Sequence, residues 1–470
     1  MIKNYVEQLI LKEFDFDPTS GQRLAISSLS AYVMENEEFS LFLLQGYAGT
    51  GKTTLISALV KVLLANKMQV ELLGPTGRAA KVLSAYTGQM ASTIHKKIYR
   101  QKSVDDFNTR FSLDKNIASN AIFIVDEASM ISNSAGESSF FGSGDLLDDL
   151  MTYVRSGRRC KLILVGDCAQ LPPVGKDFSP ALDIAELKRY GDVTEVWLRE
   201  IVRQADNSGI LYNATAIRNL IEADRVVKPS LMLDNFGDVE KISGGELIEK
   251  LSDTYDSAGI ENTLVVCRSN KLANRYNQGI RGRILYREEE LVRGDLLMVV
   301  RNSYFWTQGF DELDFIANGD IVEVMRIRKY HERYGMRFAE VTVRLVDYGD
   351  LEVDCFILLD TLVSDSPSLT YEQNREFFFK VAEDYLHIGD KRKRYKEMRT
   401  DPYFNALQIK YANAITCHKA QGGQWKTVFI DQGYFVDDML SKEYLRWLYT
   451  AITRATEKVY LVNFSDTFFM

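Results

Sequence analysis

Residues 46–53, Gly46-Tyr47-Ala48-Gly49-Thr50-Gly51-Lys52-Thr53, lie between the apolar run Leu41-Phe42-Leu43-Leu44 and the helix-like stretch Thr54-Leu55-Ile56-Ser57-Ala58-Leu59-Val60. Strand, glycine loop and helix in that order make a phosphate cradle. The glycines let consecutive backbone N–H groups turn inward, the helix adds the positive end of its dipole, and Lys52 reaches the terminal phosphates. On this reading Gly46, Ala48, Gly49, Thr50, Gly51, Lys52, Thr53 and Thr54 bind ATP, and the Thr53 hydroxyl holds Mg²⁺. A plain glycine turn is the alternative, and the full G-x-x-x-x-G-K-T spacing in this context counts against it.

Working outward, the chain of 470 residues has room for about three domains. A hydrophobic fraction of 46% and a charged fraction of 26% fit an ordinary globular protein. No apolar run reaches membrane-spanning length and the N-terminal stretch lacks a signal-peptide layout, so a cytoplasmic protein with no membrane partner is expected. Cys160, Cys168, Cys267, Cys355 and Cys417 form no C-x-x-C pair, which suggests neither structural zinc nor disulfides. The net charge of −8 argues against wrapping duplex nucleic acid by bulk electrostatics, but leaves room for a channel with a few local cations.

Upstream of the glycine loop, Pro18-Thr19-Ser20-Gly21-Gln22 reads as a helix start, and Gln22 can pair with an adenine edge or face solvent. Downstream, Val70-Glu71-Leu72-Leu73 is a second buried strand running into Gly74-Pro75-Thr76-Gly77-Arg78. That turn falls at the carboxyl edge of a parallel sheet, where ligands bind; Thr76 and Arg78 there can touch an anionic backbone or merely face water. Thr93-Ile94-His95 follows, and residues 98–120 read as an insertion between core strands. Ala121-Ile122-Phe123-Ile124-Val125 then delivers Asp126 and Glu127. Asp126 is placed to hold Mg²⁺ and Glu127 to polarise the water that attacks the γ-phosphate. Lys161 to Gly166 is a further strand, with Gln170 in its loop as a sensor of the γ-phosphate or its water.

The ordered motifs resemble those of superfamily 1 DNA helicases of the RecD/Dda type, the group that includes the Pif helicases. They are Gln22; Gly46 to Thr53; Gly74 to Ala80; Ser92 to His95; Asp126 to Ser129; Gly166 through Val174; Val202-Arg203-Gln204; Thr263 to Asn270; Ala414 to Trp425; and Leu448 to Ala455. The resemblance implies an α/β fold of two RecA-like P-loop domains with parallel sheets, plus a small β-barrel-like insertion in the second. It places the first RecA-like domain at 1–205, with the small insertion at about 98–120, and the second at 206–290 and 405–470. The barrel falls at 291–365 and a charged helical insertion at 366–404. By the same resemblance Arg203 and Arg454 contact the γ-phosphate, and with Lys52, Glu127 and Gln170 they complete the catalytic set. Gln424 stands where relatives commonly carry glutamate, which leaves its part in nucleotide contact open.

ATP in a cleft between the two domains would be closed upon from both walls. The resemblance puts a single strand against Pro75, Thr76, Arg78, Thr93 and His95 on one side and Thr416, His418 and Gln421 on the other. The expected function is therefore an ATP-dependent DNA helicase that moves on single-stranded DNA, 5′-to-3′ by resemblance, with duplex junctions as substrates and residues 98–120 as the wedge. A repair or replication protein is the expected protein partner, and DNA repair and recombination are the expected settings. An RNA helicase or RNA/DNA-hybrid remodeller shares the ATPase motifs, and a non-catalytic DNA-binding subunit would lack the hydrolytic residues found here. The run Lys391-Arg392-Lys393-Arg394 reads as a solvated helix face or a DNA grip.

Overall fold

The computed structural model describes residues 2–14, 16–35, 39–101, 111–133, 142–201, 208–308, 310, 315–346, 348–349 and 351–470. In chain order the first α/β unit carries β1 (Ser40–Gly46), β2 (Gln69–Gly74), β3 (Ala91–Thr93), β4 (Tyr99–Gln101), β5 (Phe111–Leu113), β6 (Ala121–Val125), β7 (Lys161–Gly166) and β8 (Asp192–Leu198). Six of these form one parallel sheet in the order β3-β2-β6-β7-β1-β8. Strands β1, β6 and β7 are buried along their whole length, which is why each reads as an unbroken apolar run. Alternate side chains serve opposite faces. Phe42 and Leu44 pack with Leu55, Leu59 and Leu63 of the helix Lys52–Ala65, while Leu41 and Leu43 pack with Leu147, Leu150 and Val154 of the helix Leu146–Ser156. β4 and β5 form a separate antiparallel pair inside the expected insertion.

The second half carries β9 (Val239–Ile242) and β10 (Thr263–Cys267), then β11 (Leu296–Val299), β12 (Ile321–Arg333), β13 (Met336–Leu345), β14 (Leu351–Leu358) and β15 (Leu407–Tyr411). β16 (Ala414–Thr416), β17 (Trp425–Asp431) and β18 (Ala455–Val462) complete it. A second parallel sheet runs β16-β10-β17-β18-β9, and β11 to β15 close a barrel. The long β12–β13 hairpin turns at Tyr334 and Gly335, with φ of 57° and 71°; two consecutive positive values make the primed turn that matches strand twist. Helices Tyr371–Asp384 and Lys391–Met398 pack on β13 and β14 through Phe338, Leu358, Phe377, Val381 and Met398. The charged insertion is thus helical, and Arg394 spends its guanidinium on the Ile388 carbonyl.

One boundary moves. The sequence reading resumes the second RecA-like domain at 405, whereas β15 pairs with β11 and β14 and closes the barrel. The second sheet resumes only at Ala414. No helix among the described residues is long and apolar enough to cross a membrane. All five cysteines are free thiols.

Barrel and second sheet are pinned together by charge. Asp295, just before β11, takes two bonds from Arg281, at 3.1 and 2.9 Å, and one from Arg287 at 2.8 Å. Arg281 and Asp295 side chains are only 8% and 2% exposed, so neither charge can turn to water instead. Asp295→Ala would leave a buried guanidinium short of its counter-ion. It is expected to cost about 3–5 kcal/mol in urea unfolding, as buried pairs do when one partner is removed.

Candidate functional site

The carboxyl edge of the first sheet faces the amino ends of β17 and β18 in the second. Tyr47, Ala169 and Leu171 from the first edge share an apolar cluster with Trp425, Leu448 and Ile452 from the second unit. The glycine loop caps β1, and Gly49 and Gly51 hold φ of +75° and +82°, conformations that a side chain would strain. Gly51 is the N-cap of the helix whose first turn is Lys52, Thr53 and Thr54. That turn contains no acidic residue, and Thr53 and Thr54 are exposed. The helix therefore offers its positive end to an anion. Lys52 folds back, donating from Nζ to the carbonyls of Gly46 at 2.6 Å and Tyr47 at 2.9 Å.

Gln22 is 4% exposed and spends both ends of its amide: Oε1 accepts from the Thr19 amide at 2.9 Å, and Nε2 donates to the Thr50 carbonyl at 3.1 Å. It braces the glycine loop, and its amide keeps one further N–H and one further acceptor lone pair. Asp126 accepts from the Glu127 amide at 2.8 Å through one oxygen and from the Tyr86 hydroxyl through the other. Glu127 sits at φ +52°, a left-handed conformation unusual outside glycine and of the kind that collects at functional sites. Burial pushes its carboxyl above the ordinary range, opposed chiefly by the charge of Arg454. Gln170 is 5% exposed and its Oε1 is buried with no protein partner, so it has an acceptor to spare.

From the opposite wall, Arg454 places Nη1 3.9 Å from the Glu127 carboxylate. Its guanidinium also donates to the carbonyls of Thr450 and Gly423. Four further hydrogen bonds cross the cleft. The Tyr449 hydroxyl donates to Asp167 at 2.7 Å and accepts from the Ala48 amide at 2.9 Å. Thr450 accepts from the Leu171 amide at 2.9 Å, and Gln421 donates to the Leu171 carbonyl at 2.7 Å. Arg203 falls outside the described residues.

The residues expected to face a strand divide. Thr76 caps the helix Gly77–Thr87 and Thr93 the helix Ile94–Ile98, each accepting a backbone bond, and Pro75 is half-buried beside Thr76. Thr416 occupies an N-cap position with no such bond, so its hydroxyl is not used in capping. Arg78 lies 3.8 Å above the Trp425 ring. Gln421 is committed to Leu171. These two side chains, expected to be strand contacts, also join the two units. Burial lowers His95 to about 4 and also lowers His418, so neither brings a cation to a phosphate at neutral pH. Gln424 is exposed.

Sequence reasoning gave no role to Tyr449, Asp167 or Tyr86. The first two lie inside the quoted motifs, but a phenol's bonding partner across a domain boundary has no signature in spacing.

Residues 20–228 match the family model described as an AAA domain, and 411–462 match that of a UvrD-like helicase C-terminal domain. The ATP-dependent DNA helicase dda of Enterobacteria phage T4 is 25% identical over 470 residues, covering 95% of this chain and 99% of that protein. Both matches and this relative support a superfamily 1 helicase of the RecD/Dda, Pif-related type. A second member, the ATP-dependent RecD2 DNA helicase of Deinococcus radiodurans, is 24% identical over 436 residues; this helicase spans 46% of its length. In fold, this helicase is similar to the Pif1 helicase from Bacteroides solved with ADP-AlF3 and ssDNA, with a TM-score of 0.50 at 16% identity over 97% of this chain and 95% of that one.

On the expectation that Glu127 is the base for the attacking water, it must be ionised to accept the proton. Because its carboxyl is raised, the acid limb of the hydrolysis rate should lie above the ordinary carboxylate range, with activity lost as pH falls through it. Removing the opposing charge by Arg454→Ala should move that limb further up in pH, which a pH–kcat profile of the residual activity measures.

Proposed function

We infer that this chain is an ATP-dependent DNA helicase that translocates on single-stranded DNA, hydrolysing ATP in the cleft between its two α/β units. The observation that carries the reading is the approach of Arg454, from the second unit, to 3.9 Å from the Glu127 carboxylate of the first. A catalytic acid and a guanidinium supplied from opposite walls meet only when the cleft is shut. Hydrolysis is thereby tied to domain closure.

Within that cleft Glu127 orients the attacking water and takes its proton, while Gln170 offers its spare Oε1 to the same water. Lys52 leaves the Gly46 and Tyr47 carbonyls for the terminal phosphates, and Arg454 neutralises charge that grows as the phosphoryl group departs. Arg203 is proposed for the same charge. The Thr53 hydroxyl and Asp126 carboxylate are hard oxygen donors. No group of three or more metal-binding side chains gathers among the described residues. Two protein oxygens completed by phosphates and water suit Mg²⁺, which would draw charge from the β- and γ-phosphate oxygens.

A strand laid across both units would meet Pro75, Thr76 and Thr93 on one side and Thr416 on the other, with His95 and His418 as neutral hydrogen-bonding groups. Such contacts go to phosphate and sugar, so the track should be indifferent to sequence. We propose 5′-to-3′ movement on kinship with the family, and the β4–β5 pair as the wedge at a duplex junction. The setting proposed is the cytoplasm, in DNA repair, recombination or replication beside a protein partner; the free thiols suit a reducing compartment.

The test is ATP hydrolysis at one fixed low salt concentration, alone, with single-stranded DNA and with matched RNA. Stimulation by DNA is expected; equal or greater stimulation by RNA would replace this reading with an RNA motor. Lys52→Ala should abolish hydrolysis and keep strand binding. Arg454→Ala should lower kcat by about 10³-fold or more, the usual worth of such an arginine, with less change in ATP affinity.

A further inference from the structure

Two turns of the barrel, the one before β12 and the one after β13, converge on a residue of the first unit. Gly77 opens the helix Gly77–Thr87 directly after its cap Thr76. A Cβ at Gly77 would stand 2.2 Å from Oδ1 of Asp320 and 2.6 Å from the hydroxyl of Tyr348. Only a glycine lets the barrel come so close. Asp320 is fully buried there; its Oδ2 accepts from the Ala317 amide at 2.7 Å and from Tyr348 at 3.0 Å. The first helical turn has no acidic residue of its own, so the Asp320 carboxylate supplies the negative charge that a helix start favours. One turn along, Lys81 donates to the Val346 carbonyl of the barrel at 2.8 Å. The other flank of the same turn is held by the second sheet's loop. A Cβ at Gly423 would lie 2.4 Å from Nε of Arg78, and Arg78 is stacked on Trp425.

We propose that Asp320 and Tyr348 are positioning residues: they seat the strand-binding loop Pro75–Arg78 against the barrel and so couple strand affinity to closure of the nucleotide cleft. The coupling follows from where each group resides. Thr76 rides on the first unit, whereas Asp320, Tyr348, Val346 and Trp425 ride on the second unit and its barrel. Opening the cleft parts the two sets. The loop then loses its lateral support and presents the strand with a less ordered surface, so binding must supply the order that the barrel supplied before. This rests on the helicase reading and adds to it a role for the barrel in reading the nucleotide state.

The test is the dissociation constant of a labelled oligothymidylate, by fluorescence anisotropy, without nucleotide and with a non-hydrolysable ATP analogue. It compares the full chain with Tyr348→Phe, Gly77→Ala, Asp320→Ala and the double variant Gly77→Ala/Asp320→Ala. In the full chain the two constants should differ, and in each single variant their ratio should move toward one by about fivefold or more, the low end of ordinary coupling between sites. The double variant should fall short of the sum of the two single losses, because Asp320, the nearer of the two groups that the new methyl group strikes, has gone and only the Tyr348 hydroxyl remains. Tyr348→Phe removes one hydroxyl, and its strand-free hydrolysis, expected unchanged, verifies an intact nucleotide site. A full-chain ratio of one, an unchanged ratio in Tyr348→Phe and Gly77→Ala, or additive losses in the double variant would overturn the proposal. Failure of the helicase reading would look different: hydrolysis by the full chain indifferent to DNA.

Discussion

The hydroxyl of Tyr449 joins the two halves of the molecule at the point on which their chemistry depends. It donates to Asp167 and accepts from the Ala48 amide, so one atom of the second unit touches both the glycine loop and the loop after β7. Burial and the neighbouring Asp167 keep that phenol protonated. The bond to Asp167 is therefore always available as a donor, and Asp167, itself buried, has few other ways to satisfy its charge. Thr450 and Gln421 add two contacts to Leu171 beside it. The cleft is thus defined by directional bonds as well as by apolar packing, and its walls face each other in one register.

That arrangement rests in turn on sheet topology. Parallel strands end together on one edge, so the glycine loop after β1, Asp126 and Glu127 after β6, and Gln170 after β7 arrive side by side although they are far apart in sequence. The second unit meets that edge from the other side with the amino ends of β17 and β18. Its helix Lys442–Ile452 brings Tyr449 and Thr450 to the cleft, and Arg454 follows in the turn beyond.

The nucleotide wall was legible because its residues carry local signatures. Lys52 stands in a fixed glycine spacing, and Glu127 ends a fully apolar strand. Position along the chain therefore already fixed position on the sheet edge. Long apolar runs likewise announced β1, β6 and β7, since burial on both faces removes alternation. Less legible were groups whose partners lie across the fold. The bond from Gln22 to Thr50 and the aromatic face 3.8 Å from Arg78 each join residues far apart in sequence, so neither has a local signature. The protonation of His95 was equally hidden, because it is set by how deeply the helix Ile94–Ile98 sinks against its neighbours. The barrel's last strand was misplaced for a related reason: Leu407–Tyr411 is a short apolar run, and nothing local says which of two sheets will claim it.

The late position of that strand also bears on how the chain is made. β11 cannot close its barrel until β15 has been synthesised, after the helices Tyr371–Asp384 and Lys391–Met398. β10 waits longer, because both of its neighbours, β16 and β17, come later still. The first sheet, by contrast, is complete once β8 has emerged. On a ribosome the first unit can therefore fold early, while β10 and the barrel edges stay unpaired until late in synthesis. During that interval the exposed strands Leu296–Val299 and Thr263–Cys267, both strongly apolar, are the segments most in need of a chaperone.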